Sequence, residues 1–257
     1  MAESDPVPGD WETGRVAVNG IDLHHVRSGG DGPPLVVAHG VFDDGYCRLP
    51  LARELAKEYD VVLYDARGHG RSSAPEKGYD AATMATDLAV LVDALGLDDP
   101  YLLGHSMGGD AVATAAARQP DLPRAVVLVE PAGLMYRNGD EEEVGATAAE
   151  VRELIERWQA GTRDDVLAAE DELRAYAEGG REELASLLVD ARQRVSPAVA
   201  QLFDAALADP DELYPRIDAP TLLLRAAVDV NELELREPVG QFRVSLARPR
   251  IDVGPEE

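Results

Sequence analysis

Only one cysteine, Cys47, stands among the 257 residues, so no disulfide can form within the chain and the sequence fits a reducing compartment. No motif surrounds it that would mark a catalytic thiol. Lysine is nearly absent: Lys57 and Lys77 are the only two among 24 basic residues, against 49 acidic ones, and the formal charge is -25. A surface of that sign repels phosphate backbones and anionic headgroups, so neither nucleic acid nor membrane is expected as a partner. Abundant acid with little lysine fits a halophilic cytoplasm, where salt screens self-repulsion, and equally an acidic protein of a GC-rich bacterium. No run of about 18 apolar residues occurs, so no spanning helix is expected. Met1-Ala2-Glu3-Ser4-Asp5-Pro6 has neither the basic segment nor the apolar core of a signal peptide, and the expected location is cytoplasmic. No His, Asp or Glu cluster has ligand spacing beyond the adjacent His24 and His25, whose side chains diverge on a strand, so no metal or cofactor is expected. Oligomeric state leaves no mark in the sequence.

What the chain does have is a hydrophobic content of 45%, which supports a core, and a length that fits one large α/β domain with an insertion or two small domains. Around Asn19-Gly20 the alternating residues 14–27 predict an antiparallel hairpin, with His24 and His25 as surface or edge residues. Short, continuously apolar runs follow at 35–38, 61–64, 101–103, 125–129 and 221–224, the pattern of parallel strands buried on both faces. Helical patterns lie between them. One spans about 49–59, and a second carries Met84, Leu88, Leu91 and Leu95 between Asp80 as N-cap and Gly96 as C-cap. The predicted fold class is α/β: a mainly parallel, doubly wound sheet with an N-terminal antiparallel hairpin.

Between residues 131 and 218 no strand is evident. Helical patterns there run through Val151, Leu154, Ile155 and Trp158, then Val166, Leu173 and Tyr176. Further ones run through Leu184, Leu187, Leu188 and Ala191, then Val199, Leu202, Phe203, Ala206 and Leu207 before Asp209-Pro210. The domain reading is a core of 1–130 and 219–257 with a helical lid of 131–218 over the carboxyl ends of the strands. Its acidic run Asp140-Glu141-Glu142-Glu143 reads as a solvated helix start.

The stretch with chemical content is Gly104-His105-Ser106-Met107-Gly108-Gly109, a G-x-S-x-G between an apolar strand and an Ala-rich helix. A serine on so sharp a turn needs neighbours without side chains, and the helix that follows aims its positive end at the site. A serine capping an ordinary helix is the competing reading. With His39-Gly40 after one strand and Asp65-Ala66-Arg67-Gly68-His69-Gly70-Arg71-Ser72 after the next, the chain resembles the α/β-hydrolase family from about residue 14 to 229.

That resemblance implies Ser106 as nucleophile and the backbone amides of Val41 and Met107 as the oxyanion hole. It implies Asp229 as triad acid, although Ala226 stands where the family has glycine, and Glu130 is the second choice. His39 and the 65–72 turn are expected to be structural, with Arg67 and Asp65 pinning that turn. The base is unknown, because all five histidines (His24, His25, His39, His69 and His105) precede Ser106, whereas the fold's order is nucleophile, acid, histidine. The last strand, at 243–246 or 250–253, and its helix read as incomplete. Losing a triad base costs on the order of 10⁶ in kcat. Two functions therefore stand: a serine hydrolase of a small ester, lactone or related acyl or carbon–carbon substrate, and a non-catalytic relative that binds a small ligand or partner under its lid.

Overall fold

Asn19 and Gly20, at φ of 44° and 81°, turn strand β1 (Glu12–Val18) into β2 (Ile21–Arg27), and the two pair antiparallel. The computed structural model describes residues 6–135, 146–207, 209–226 and 242–247 of the chain. Beyond the hairpin, β3 (Pro34–Ala38), β4 (Asp60–Tyr64), β5 (Tyr101–His105), β6 (Ala125–Val129) and β7 (Thr221–Ala226) run parallel. The last strand, β8 (Phe242–Ala247), returns antiparallel to β7, and the sheet order is β1-β2-β4-β3-β5-β6-β7-β8. Successive residues of β3 serve opposite faces: Leu35 and Val37 join one buried cluster, Val36 and Ala38 the other. Both faces are therefore dry, which is why these strands read as unbroken apolar runs rather than alternating ones.

Helices α1 (Leu49–Leu55), α2 (Ala81–Ala94) and α3 (Met107–Arg118) make the crossovers. Asp80 caps α2 by accepting from Thr83 N at 2.8 Å. β3 lies between β4 and β5, so connections leave it in opposite directions and open a crevice at the carboxyl ends of β3 and β5.

Between β6 and β7 the described residues hold no strand. They form α4 (Ala132–Met135), α5 (Ala148–Ala160), α6 (Arg163–Ala169), α7 (Asp171–Glu178), α8 (Glu182–Arg194), a 3-10 helix Pro197–Asp204 and α9 (Pro210–Leu213). Thr147 with Glu150 and Thr162 with Asp165 form capping boxes at α5 and α6. Val166 and Tyr176, read as one helix, fall on two. Glu170 is extended at φ -111°, ψ 107°, and its carboxylate accepts from Trp158 Nε1 at 3.1 Å, which breaks the run. The pattern through Leu207 ends early, at Asp204, because Ala205 is extended.

Two sequence expectations are overturned. His24 is buried rather than at a surface or edge, because β2 is flanked by both β1 and β4, and its Nδ1 lies 3.0 Å from Asp65 Oδ2. Arg67 does not pin Asp65: its guanidinium reaches across to Asp87 on α2, while Asp65 accepts from Gly45 N and Arg71 N. Asp229, the 140–143 acidic run and the 250–253 strand candidate lie outside the described residues. Among the described residues no helix is long and apolar enough to cross a membrane.

Candidate active site

β5 delivers the chain to Ser106 at φ 50° and ψ -116°, a left-handed conformation that costs a non-glycine residue on the order of 1–3 kcal/mol. Neighbouring elements hold it there. Ser106 N donates to Val129 O at 3.0 Å, and Ser106 O accepts from Asp110 N at 3.1 Å and Ala132 N at 3.3 Å. The hydroxyl caps nothing, so the simple helix-cap reading fails. The flanking glycines are needed for close approach: a Cβ on Gly108 would lie 2.6 Å from His39 O, and one on Gly104 would lie 2.8 Å from Gly109 Cα.

Opposite the turn runs the loop after β3. Buried His39 ties it down, with Nδ1 2.8 Å from Gly40 O and Nε2 accepting from Ala66 N at 2.9 Å. Phe42, at φ 68°, stacks on Phe203 (centroids 6.0 Å apart) and meets Trp158 edge-on at 5.1 Å. Arg192 of α8 donates to Phe42 O at 2.7 Å and to Asp43 Oδ1 at 3.2 Å. The helical insertion thus holds the loop that carries Val41.

Ser106, Val41 and Met107 line one cavity of about 320 Å³, together with Asp110, Leu202, Phe203 and Leu207. None of the five histidines lines it. His105 turns to Arg48, whose Nη2 is 2.8 Å from its Nδ1, and burial with Arg48 lowers its pKa. His69 is fully buried on Arg67 O and is held near 3 by burial and by His39. Glu130, at φ 44°, directly follows Val129, which pairs with His105, so it abuts the serine turn; its amide donates to Leu224 O at 3.0 Å. Among the described residues no group of three His, Cys, Asp or Glu is placed to hold a metal.

Sequence reasoning missed Asp110 and Arg192. The signal for Asp110 was available: it stands one helical turn beyond Ser106, on the packed side of an Ala-rich helix. Gly133 N donates to its two carboxylate oxygens at 3.1 and 3.0 Å, and burial pushes its pKa from 3.8 up to about 6. Burial raises the nearby Tyr214 phenol, and Asp110 adds to that. A raised carboxyl favours the protonated folded state, so its contribution is present below about pH 4 and lost as pH rises through about 6. Asp110→Asn is therefore expected to stabilise the fold at pH 8 by up to about 3 kcal/mol and by little at pH 4.5. Urea unfolding at the two pH values reads this, and equal midpoints at pH 8 would contradict it.

Comparison with known proteins adds four findings. A family model of the alpha/beta hydrolase fold matches residues 33–203. A 2-(acetamidomethylene)succinate hydrolase of Mesorhizobium japonicum is 30% identical over 221 residues, covering 82% of this chain and 76% of that protein. An N-formylmaleamate deformylase of Pseudomonas putida is 39% identical over 120 residues, 46% of this chain and 44% of that protein. Among solved structures, an N-formylmaleamic acid deformylase of Pseudomonas putida S16 superposes with TM-score 0.68 at 25% identity, covering 84% of this chain and 82% of that one.

Proposed function

This chain belongs to the α/β-hydrolase fold family, and from that premise we propose that it is a serine-nucleophile hydrolase of a small ester, lactone or related acyl or carbon–carbon substrate. The observation that carries the reading is Ser106 held at φ 50° on a glycine-flanked turn, facing a cavity it shares with Val41 and Met107. In the proposed reaction Ser106 Oγ adds to the substrate carbonyl, and the displaced electron pair rests on the carbonyl oxygen. The amides of Val41 and Met107 hold that oxygen, each contributing roughly 3 to 4 kcal/mol. The carbonyl then re-forms as the bond to the leaving group breaks, and the leaving group departs with the proton given up by the serine hydroxyl. Water adds to the acyl-serine to release the acid and restore the Ser106 hydroxyl. Asp229 is the acid that the family pattern offers, and Glu130 is the alternative, favoured by its place beside the turn. The hydrolase and deformylase names of the relatives support acyl transfer to water.

A second reading, a non-catalytic binder of small ligands, draws on one fact: His24, His25, His39, His69 and His105 all stand outside the described lining of the cavity. A fluorophosphonate probe separates the two. An activated serine is expected to be phosphonylated stoichiometrically on the peptide containing Ser106, with no label in Ser106→Ala. An unlabelled wild-type chain at millimolar probe would support the binder and sink the hydrolase.

A further inference from the structure

The walls of the cavity over Ser106 differ in chemistry from a site built for anions. Its described lining is apolar apart from Ser106 and Asp110, and no arginine, lysine or histidine stands among those residues. Asp110 is 5% exposed, its oxygens held by Gly133 N, and no basic side chain pairs with it among the described residues. Phe203 and Leu207, 37% and 45% exposed, carry the apolar surface out to the mouth.

We infer that Asp110 is a specificity-determining residue: it makes this cavity a chamber for short, uncharged acyl groups and turns away substrates whose acyl part bears a carboxylate. The inference rests on the hydrolase reading for calling the occupant an acyl group. An entering carboxylate would shed its water, find no cation in the described lining to replace that hydration, and meet a like charge where the dielectric is low. A neutral chain loses little water of value and gains contact with Val41, Leu202, Phe203 and Leu207. Discrimination of this kind comes from the repulsive element as much as from the attractive walls.

The test is a binding measurement that needs no turnover. Ser106→Ala is titrated calorimetrically at pH 8 with N-phenylbutyramide and with N-phenylsuccinamate, which differ by a terminal carboxylate, and the pair is repeated with Ser106→Ala/Asp110→Asn. The neutral amide is expected to bind about 10- to 100-fold tighter, and the second substitution to narrow that gap by at least about threefold. Equal or tighter binding of the succinamate, a gap untouched by Asp110→Asn, or no binding of either ligand at millimolar concentration would overturn the inference. Failure of the hydrolase reading is visible separately: an unlabelled Ser106 with the preference intact removes the chemistry alone, whereas a labelled Ser106 without the preference removes only the specificity.

Discussion

Replacing Ser106 by alanine is expected to lower kcat/KM for p-nitrophenyl butyrate by at least about a thousandfold, equivalent to about 4 kcal/mol of transition-state stabilisation. In the proposed reaction the hydroxyl supplies the covalent route. Without it the cavity keeps the Val41 and Met107 amides and its apolar walls, which alone give a serine-type site about 10³ to 10⁴ over water. The backbone at 106 carries its strain through main-chain bonds to Val129 O and from Asp110 N and Ala132 N, none of which uses the side chain, so the variant should fold like the wild type. A steady-state comparison in high and low salt decides the matter, since a chain of charge -25 is sensitive to screening. Equal background rates for the two proteins in both salts would contradict a nucleophilic Ser106.

Asp87→Ala is expected to have the largest effect on stability, about 3–5 kcal/mol, seen as a fall in Tm of roughly 10 °C or more. Asp87 and Arg67 form a two-pronged pair at 2.6 and 2.7 Å, with side chains only 3% and 4% exposed. Asn19 Nδ2 donates to the same carboxylate at 2.8 Å, so one side chain of α2 joins the turn after β4 to the β1–β2 turn. Alanine at 87 strands a buried guanidinium, whose desolvation is no longer offset. The Arg67→Met/Asp87→Leu double variant should recover most of the loss, because a buried pair is worth little more than apolar side chains of similar volume. A loss below about 1 kcal/mol in Asp87→Ala, or a double variant as unstable as the single, would show that the charge is relieved in some other way.

Much of the fold was legible because its signals are local. A strand packed on both faces is largely apolar along its length, so β3 to β7 announce themselves within an error of one or two residues at their ends. Asn19-Gly20 and the Asp80 cap depend on backbone preferences within four residues. The serine turn was legible for the same reason: Gly104 and Gly108 are where atoms from Gly109 and from His39 leave no room for a Cβ.

The sequence by itself thus determined the order of elements and the turn that presents Ser106. Only the tertiary structure decided which polar side chains meet. Arg67 finds Asp87 rather than Asp65, His24 is buried because a third strand flanks β2, and Arg192 grips Phe42 from 150 positions away. Asp110 is an ordinary helical aspartate on paper. It becomes the one charged group in the described lining of the cavity because α4 brings Gly133 N onto its carboxylate there. Polar partners are chosen by burial and by the need to satisfy each desolvated group, and both depend on packing between distant segments that no local pattern encodes.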